Sequence, residues 1–480
     1  MTKASALRKM SILPFKPFNS VYNRLDKNLS TERNGRSIMF KRDKYLNQLI
    51  RSRDNHQVKV ITGIRRAGKS YLINEIFFDW LVENGIDVTH IIKFSFDSEI
   101  DIRKLDSYLP TESTIVRVVE GQNIINNRKF MLFIDDKTKD EGNYILLLDE
   151  IQNLDDFVRV LNGYLYLNRF DIYVTGSNSR FLSSQVDTEF SGRGNRIHLL
   201  PLSFSEYLTG TNFYKRDALD EYIRYGGIPL VELQSNDEEK AKMAISIYKE
   251  TYLKDIKDRH PQVEENNLHT TLEVIASMIS APINPTKIEN TFNSAFNIKL
   301  SNNVIGNYIN WFEEAYLLNK ALRYNVKGRH YIGSPYKVYF EDIGIRNAVL
   351  NFREIDETDL IENIVFNELR YRGFNVDVGI VTIKKKTDRK DKNGNWIYAD
   401  VDTECDFVAN KGDKTYYVQV ALTIDTLEKK DQEYESLRNI PDSFKKVIIV
   451  KNEGLHYRTS EGFLRLSLLD FLTNIDSLDW

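Results

Sequence analysis

The sequence contains a single cysteine, Cys405, so the chain forms no internal disulfide bond and a reducing compartment is its natural setting. Its seven histidines are scattered and form no ligand-spaced cluster with cysteine, which argues against a structural zinc site. No apolar run approaches the roughly 20 residues that a membrane span requires. The net charge of −3 argues against a protein that coats nucleic acid by charge alone. We therefore expect a cytoplasmic protein that does not enter the membrane.

The length of 480 residues predicts about three domains, and 41% hydrophobic and 28% charged residues are ordinary for a folded chain. Residues 1–40 differ, because they are basic and poor in apolar side chains. No apolar segment follows the basic residues, so a secretory signal is not expected. We interpret this region as a flexible arm, or as an extension upstream of a folded part that begins near Met39. An organellar transit peptide is the alternative.

The most informative motif lies at residues 58–72. The apolar run 58–61 is typical of a buried strand, and it leads into a full match to G-x-x-x-x-G-K-[ST]. A helix-like pattern follows at 71–77. Strand, glycine loop and helix in this order are the context of a phosphate-binding loop. The predicted nucleotide-binding residues are Gly63, Ile64, Arg65, Arg66, Ala67, Gly68, Lys69, Ser70 and Tyr71.

Each part of this loop has a distinct chemical role. Gly63 and Gly68 let the backbone curl so that its N–H groups point at phosphate oxygens. Lys69 is placed to reach the β- and γ-phosphates, where it also supports catalysis, and the Ser70 hydroxyl to hold Mg²⁺. The loop therefore predicts ATP and Mg²⁺ as cofactors.

A second motif follows about 80 residues later, at 144–152. Its five apolar residues without alternation are typical of a strand buried on both faces of a parallel sheet. Two acids, Asp149 and Glu150, end this strand, and open α/β sheets bind ligands at that edge. We predict that Asp149 holds Mg²⁺ through water and that Glu150 polarises the attacking water.

A third strand is predicted at 171–175, and a polar group at its end can sense the γ-phosphate. Asn178 and Thr175 are the candidates; a capped turn before the next helix is the alternative interpretation. Arg193 lies in a glycine-containing loop. It is predicted to act as an arginine finger, either in cis or toward a neighbouring subunit, or else to be a surface arginine.

Together, the segments at 63–70, 147–152, 174–179 and 201–207 resemble AAA-type ATPases whose C-terminal half is a DUF4143 domain. Later segments at 225–229, 327–329 and 339–347 agree with this resemblance, which covers about residues 40–475. Strand and helix segments lie between the glycine motif at 63–70 and the acidic motif at 149–150. This insertion, with an extra strand between the two motifs, places the loop in the ASCE class of P-loop ATPases. The resemblance implies ATP binding and an architecture, but it implies no substrate.

The predicted fold class is α/β, with a P-loop parallel sheet, a helical lid, a winged helix and a restriction-endonuclease-like C-terminal unit. Helices followed by a basic β-hairpin predict the winged helix, with Arg323, Lys327 and Arg329 near DNA phosphates. A packing or protein-binding module is the alternative. The predicted regions are an N-terminal extension at 1–40, an ATPase core at 41–205, a lid at 206–261, a winged helix at 262–350 and a nuclease-like domain at 355–480.

The C-terminal segment resembles the PD-(D/E)XK nuclease fold in the order and spacing of its elements. In that fold an acid on the first helix, an aspartate on a strand and an acid-x-lysine triplet converge on Mg²⁺. Glu368 and Asp406 fall on the first two positions, but Gln419 and Ala421 stand where the acid and the lysine are expected. Because glutamine supplies no anionic ligand and alanine no charge, we predict a nuclease-like fold without nuclease activity.

Two further interpretations concern the C-terminal segment at 355–480. The basic run 384–392 is interpreted as a solvated hairpin tip that leads to a turn at Asn393-Gly394, with nucleic-acid contact as the alternative. Glu404 lies two residues before Asp406, which leaves an active nuclease with shifted ligands as a weaker hypothesis.

The sequence thus favours an ATPase that acts on or near DNA. The alternative is a STAND-type nucleotide-dependent switch whose partner is a protein, and a homo-oligomer is compatible with both.

Overall fold

The structure, a computed structural model, describes most of the chain. The described residues are 32–33, 36–37, 40–108, 116–119, 122–176, 190, 192–211, 213–296, 299–353, 356–452 and 454–480. Over these ranges, none of the helices combines the length and the apolar character that crossing a membrane demands.

The first half of the chain forms a five-stranded parallel sheet and two small hairpins. The strands, in chain order, are β1 (Glu32–Arg33), β2 (Arg36–Ser37), β3 (Val58–Thr62), β4 (Ile91–Ser95), β5 (Val116–Val119), β6 (Gln122–Ile125), β7 (Tyr144–Asp149), β8 (Phe170–Thr175) and β9 (Gly194–His198). The parallel sheet has the order β4-β7-β8-β3-β9. Strand β8 therefore lies between β3, which precedes the glycine loop, and β7, which ends in the two acids. This is the arrangement of P-loop ATPases, as predicted.

Helices cover both faces of this sheet. Leu147 packs into one hydrophobic cluster, and its neighbours Leu146 and Leu148 pack into the other. Burial on both faces explains the continuous apolar run in β7. The helices of this part are α1 (Asp43–Arg51), α2 (Lys69–Tyr71), α3 (Phe78–Glu83), α4 (Glu99–Arg103), α5 (Asn127–Lys137) and α6 (Phe157–Tyr166), with a π-helical segment at Leu72–Phe77 that joins α2 to α3.

A helical region follows the parallel sheet. A capping box begins its first helix, because Ser203 and Glu206 satisfy each other's backbone N–H groups. The helices are α7 (Phe204–Gly210), α8 (Lys215–Tyr225), α9 (Pro229–Glu232), α10 (Asp237–Ser246), α11 (Lys254–Arg259), α12 (Glu265–Ser277), α13 (Pro285–Thr291) and α14 (Asn302–Glu314), with π-helical segments at Ile247–Leu253 and Phe292–Phe296.

The last part of the chain forms a mixed eight-stranded sheet. Its strands are β10 (Leu318–Asn325), β11 (His330–Phe340), β12 (Asn375–Lys390), β13 (Trp396–Lys411), β14 (Lys414–Ala421), β15 (Lys445–Val450), β16 (Tyr457–Arg458) and β17 (Leu464–Ser467), in the order β11-β10-β12-β13-β14-β15-β17-β16. The helices that pack around it are α15 (Ile343–Val349), α16 (Glu357–Tyr371), α17 (Leu427–Arg438) and α18 (Leu468–Thr473).

This mixed sheet crosses the domain boundary that the sequence predicts near residue 350. Strand β10, assigned to the winged helix, pairs in parallel with β12 of the predicted nuclease-like unit through Arg323↔Val378 and the two positions after it. The hairpin of β10 and β11 therefore belongs to the same sheet as the C-terminal strands. The pairing also brings the basic turn at 326–329 beside β12.

Candidate nucleotide-binding site

The glycine loop joins β3 to α2 at the carboxyl edge of the parallel sheet. Gly63 has a φ of 138° and Gly68 a φ of 95°, both in the range that favours glycine. A Cβ atom on Gly63 would lie 2.2 Å from the carbonyl oxygen of Leu199, which leaves no room for any other residue. Ile64 and Ala67 are buried in the core, so they anchor the loop. The exposed Arg66 and Tyr71, which is 41% exposed, face outward.

Lys69 is buried within its own loop. Its ammonium donates hydrogen bonds to the carbonyl oxygens of Gly63, at 3.0 Å, and Ile64, at 3.1 Å. Burial lowers the pKa of Lys69, and the carboxylates of Glu150 and Asp149 oppose that shift. The two acids therefore help to keep a positive charge in the loop, where phosphate oxygens are expected.

Asp149 lies at the end of β7 and accepts hydrogen bonds from two hydroxyl groups. One comes from Thr175 Oγ1 and the other from Ser70. Burial raises the pKa of Asp149 to about 6; Glu150 adds to this rise and the two hydroxyl groups oppose it. The contact with Ser70 places the two predicted Mg²⁺ ligands side by side.

Glu150 adopts a left-handed backbone conformation, with a φ of 53°. Its backbone N–H donates to Thr175 Oγ1 at 3.1 Å, and Gln152 donates a hydrogen bond to its carboxylate. A glutamate in this conformation is uncommon and costs free energy, so surrounding contacts must hold it in place. These contacts keep the Glu150 carboxylate close enough to Lys69 to influence its pKa.

Thr175 links the two acids, because its hydroxyl contacts Asp149 and the backbone of Glu150. It sits at the end of β8, between the strands that carry the glycine loop and the acids. Of the two residues predicted to sense the γ-phosphate, Thr175 thus lies at the site. The other, Asn178, lies outside the described residues.

Asp97 is a site residue that the sequence analysis missed. It follows β4, the neighbour of β7, and accepts a hydrogen bond of 2.6 Å from Ser95 Oγ. Its charge also contributes to the raised pKa of Asp149. The sequence offers one signal for this residue, because Asp97 is an acid that lies two residues after the mostly apolar segment of β4.

A series of contacting polar side chains, which we call the polar chain, leads from the glycine loop to the mixed sheet. The sequence does not predict it. Thr62 Oγ1, directly before Gly63, lies 3.2 Å from His198 Nδ1, and His198 Nε2 lies 2.8 Å from Glu341 Oε1. Arg370 forms an ion pair with the second oxygen of Glu341 at 3.1 Å. Burial alone would raise the pKa of Glu341, but His198 and Arg370 outweigh it and hold this pKa at about 2. The site is therefore connected to α16 through charged groups.

The helical region also contacts the loop. Arg65 forms an ion pair with Asp255 of α11, with Nη2 and Oδ1 2.6 Å apart. Tyr252 donates a hydrogen bond of 2.8 Å to the carbonyl oxygen of Arg65. Arg65 thus links the loop to helices in the region predicted as a lid, rather than pointing at the acids.

The structure does not bring Arg193 to the glycine loop. Its carbonyl oxygen accepts from the N–H of Val58, the first residue of β3, at 2.8 Å. Because the strands are parallel, this contact places Arg193 at the amino edge of the sheet, opposite the glycine loop. A role toward a neighbouring subunit stays a prediction. The arginine on β9 that approaches the loop is Arg196, whose Nε lies 3.4 Å from Thr62 Oγ1.

Asp406 lies beside two of the other predicted nuclease-like residues, Gln419 and Ala421, because its carboxylate accepts a hydrogen bond of 2.7 Å from the backbone N–H of Val420. Glu368 pairs with Arg372 at 2.8 Å, and Gln419 donates to Glu433 of α17 at 3.1 Å. Ala421 is buried at the end of β14 and offers no polar group. The acids that influence Asp406 are instead Glu362 and Glu404.

Lys337 of β11 lies among these acids. Its ammonium is 2.9 Å from Glu362 Oε1 and 2.5 Å from Glu404 Oε1. Burial would lower the pKa of Lys337, but the two carboxylates outweigh it and raise this pKa. Burial and the charge of Glu362 raise the pKa of Asp406. An ammonium group thus occupies the centre of this acidic cluster, and no group of three metal-ligating side chains suited to a metal ion occurs among the described residues.

We expect the wild-type protein to leave DNA intact in the presence of Mg²⁺ or Mn²⁺, because Lys337 neutralises the acids that would bind the metal. A nicking assay on supercoiled plasmid checks this. Metal-dependent cleavage that Asp406→Ala abolishes would contradict the prediction.

Ionised Asp149 should destabilise the folded protein. Its pKa rises from an ordinary 3.8 to about 6, so the folded state binds this proton more tightly than the unfolded state does. The resulting stability is fully present below pH 3.8 and is lost as the pH rises through about 6. Near neutral pH the loss is about 3 kcal/mol. In metal-free buffer, we therefore expect Asp149→Asn to raise the free energy of unfolding near pH 7.5 by up to this amount.

This advantage should disappear near pH 4, where wild-type Asp149 is protonated. Denaturant unfolding at both values checks the prediction, with the exposed Asp135→Asn as the matched control. An equal effect of Asp149→Asn at both pH values would contradict it.

Comparisons with known proteins agree with this geometry. Residues 55–208 match the family model for an AAA domain, AAA_14, and residues 216–356 match a domain of unknown function, DUF8612. The chain is 31% identical over 448 residues to an uncharacterized protein of Haemophilus influenzae, which covers 92% of this chain and 98% of that protein. It is 27% identical over 347 residues to the uncharacterized protein MJ1544 of Methanocaldococcus jannaschii, which covers 69% and 70% of the two chains.

The chain therefore belongs to the same family as the Haemophilus influenzae protein, and it carries an AAA-type, P-loop ATPase-like domain. Among solved structures it is similar to the Aeropyrum pernix ORC2 protein, in ADPNP-ADP complexes, with a TM-score of 0.39 and 12% identity over 72% of this chain and 98% of that one. It is also similar to the Aeropyrum pernix ORC1 protein in complex with DNA, with a TM-score of 0.32 and 11% identity over 65% and 92%. These distant similarities carry no inference about a ligand or a partner.

Proposed function

We propose that this protein is a Mg²⁺-dependent ATPase that acts on or near DNA. One observation carries the ATPase proposal: a buried lysine, two hydroxyl groups and two acids meet at the carboxyl edge of one parallel sheet. These residues are Lys69, Ser70, Thr175, Asp149 and Glu150. Open parallel sheets bind their ligands at this edge.

The donor set fits Mg²⁺. This ion prefers oxygen ligands and is usually held by one or two protein groups, with water and phosphate oxygens completing its coordination. Ser70 and Asp149, which share a hydrogen bond, supply such oxygens. Bound Mg²⁺ would neutralise charge on the β- and γ-phosphates.

The remaining residues would act on ATP directly. Lys69 would donate to β- and γ-phosphate oxygens in place of its present carbonyl partners. Glu150 would accept a proton from the attacking water. The Thr175 hydroxyl, which contacts Asp149 and the backbone of Glu150, would hold these two acids in position. The polar chain from Thr62 to Glu341 offers a route by which the loop influences the C-terminal sheet.

An order of elements like that of a winged helix supports the proposal of DNA contact. Helices α12, α13 and α14 precede the hairpin of β10 and β11, which is the order of that motif. In addition, Ile283, between α12 and α13, forms an antiparallel bridge with Tyr336 of β11. The segment between the first two helices thus contacts β11, as the first strand of a winged helix would contact its hairpin.

We further propose that the C-terminal sheet is a nuclease-like module kept for binding or assembly. The order α16, β12, β13, β14, α17 and β15 supports the fold proposal. The ion pairs of Lys337 support the absence of cleavage.

The test is steady-state ATP hydrolysis by protein of known oligomeric state, measured with and without duplex DNA. We expect Mg²⁺-dependent hydrolysis that DNA stimulates several-fold. Hydrolysis that DNA leaves unchanged would contradict the DNA part of the proposal and leave the ATPase part standing.

A nucleotide-dependent switch with a protein partner is the second candidate. It is favoured by the contacts of Arg65 with Asp255 and Tyr252, because these tie the loop to helices that nucleotide binding could move. Slow turnover with long retention of ADP, insensitive to DNA, would support the switch.

A further inference from the structure

The long hairpin of β12 and β13 extends beyond the sheet as a two-stranded ribbon. We call residues 384–402 the ribbon arm. The neighbours of the hairpin pair only at its base: β10 pairs with β12 at Val378–Ile380, and β14 pairs with β13 at Phe407–Lys411. Every residue of the arm is exposed except Thr387, which is half-buried. The arm therefore presents both of its faces to its surroundings.

The arm carries six cationic side chains: Lys384, Lys385, Lys386, Arg389, Lys390 and Lys392. In the described part of the chain, only Lys385 has a carboxylate within 4.0 Å, that of Glu435 at 2.7 Å. Two of the arm's acids are occupied otherwise. Asp391 accepts from the backbone N–H groups of the turn, and Asp402 accepts from Thr382 at 2.8 Å. With four aspartates among its residues, the arm keeps a net charge of +2, and Asp400 lies directly across the ribbon from Lys384.

Aromatic side chains lie between these cations. The Trp396 ring is 3.6 Å from Lys386 Nζ and 4.5 Å from Lys390 Nζ, measured to the ring centroid. Tyr398 lies directly across from Lys386, so their side chains share one face of the ribbon. Trp396 is 43% exposed and Tyr398 is 60% exposed. Exposed aromatic groups among lysines suit contacts to bases between contacts to phosphates.

The turn at 326–329 between β10 and β11, which we call the wing turn, contacts the base of the arm. Lys327, in the turn between β10 and β11, donates a hydrogen bond of 2.6 Å to the carbonyl oxygen of Thr382 at the base of the arm. Arg323 lies 3.9 Å from Asp402. The wing turn therefore lies against the base of the arm.

The third helix of the proposed winged helix is α14, and it has no cationic side chain that could contact DNA phosphates. The sequence of α14 contains no lysine or arginine, and it ends in two glutamates. A helix that enters a groove of DNA usually has cations nearby to contact the backbone. Phosphate contacts by this part of the molecule would therefore come from cations outside α14, such as those of the wing turn and of the arm.

We propose that the ribbon arm binds the major groove of duplex DNA, with the wing turn on the adjacent backbone; this inference rests on the proposed action on DNA. A two-stranded ribbon with its side chains is about 10 Å thick, so it fits a major groove about 12 Å wide but not a minor groove about 6 Å wide. The stretch from Lys384 to Lys390 reaches about 20 Å. Cations on both faces then meet phosphates on both walls of the groove.

The test compares two fourfold variants of the full chain by fluorescence anisotropy with a short labelled duplex. Both variants remove four exposed cations and so change the net charge equally. The arm variant carries Lys384→Ala, Lys386→Ala, Arg389→Ala and Lys390→Ala. The control variant carries Lys137→Ala, Lys215→Ala, Arg216→Ala and Lys249→Ala, at exposed positions outside the arm.

We expect the arm variant to bind duplex DNA about 10- to 100-fold more weakly, while the control stays within a few-fold of the wild type. The slope of log K against log salt should fall in magnitude by about 3 to 4, because four phosphate contacts are lost. Unchanged thermal unfolding and ATP affinity of the arm variant would show that the fold is intact.

Equal affinity of the arm variant and the control would overturn this inference alone. Binding of single strands with no affinity for the duplex would overturn the groove assignment. A wild type that hydrolyses ATP but binds no DNA would overturn the arm as a DNA contact. The same result would contradict the DNA part of the proposed function and would favour a protein as the partner of the arm. A wild type that binds duplex DNA through the arm but does not hydrolyse ATP would support this inference and contradict the ATPase.

Discussion

Glu150→Gln is expected to lower the turnover number for ATP by about 10² or more while leaving the affinity for ATP within a few-fold of the wild type. In the proposed mechanism the carboxylate accepts the proton of the attacking water, and an amide of the same shape cannot accept it. Gln152 and Thr175 contact Glu150 through groups that a glutamine can also satisfy. The substitution therefore removes the base and keeps the geometry.

Steady-state and single-turnover hydrolysis, together with calorimetric ATP binding, would measure this split. Glu141→Gln provides a matched control, since Glu141 is exposed and lies before the same strand. Normal turnover by Glu150→Gln would show that another group activates the water. Asp97, which lies near Asp149, would then be the first alternative.

Lys69→Ala is expected to weaken ATP binding by about 30-fold to several-thousand-fold, which corresponds to a loss of about 2–5 kcal/mol. The side chain is buried, and its ammonium is the cation that phosphate oxygens would meet inside the loop. Without it, the triphosphate would face Asp149 and Glu150 with no buried cation of the loop between them.

Calorimetric titration with a non-hydrolysable ATP analogue and Mg²⁺ checks this prediction. Lys137→Ala, at an exposed position on α5, controls for the loss of one positive charge. Thermal unfolding without nucleotide separates lost binding from lost folding. An affinity for the analogue that Lys69→Ala leaves unchanged would mean that phosphates do not bind in this loop.

The parts of the site that the sequence predicts are those encoded by contiguous residues. The glycine loop and the strand that ends in Asp149 and Glu150 each combine an element with a chemical motif over a few positions. Because carboxyl ends of parallel strands share one edge of the sheet, the two motifs could be placed together without knowledge of the rest of the chain.

The parts that the sequence does not predict depend on where an element lies in the sheet. Asp97 and His198 reach the site only because β4 neighbours β7 and β9 neighbours β3. Arg193 precedes β9, and the parallel direction of that strand, invisible in the motif, places it at the opposite edge. Likewise, nothing local in β10 shows that it joins the C-terminal sheet.

Helix geometry explains why the acid of α16 nearest Asp406 is Glu362 and not the predicted Glu368. Glu362 and Glu368 both lie on α16, but they are separated by six residues, or about 240° around a helix axis. Only Glu362 faces Asp406, whereas Glu368 pairs with Arg372. Lys337 comes from a distant strand, β11, so spacing alone could not reveal it.

The central claim is that the glycine loop and the two acids form a working ATPase site. The most direct measurement is the release of inorganic phosphate from ATP by monodisperse wild-type protein, with Mg²⁺ and with the metal chelated, in the presence and absence of duplex DNA. We expect phosphate release that requires Mg²⁺ and that Glu150→Gln nearly abolishes. Absence of Mg²⁺-dependent release under all of these conditions, or equal release by Glu150→Gln, would contradict it.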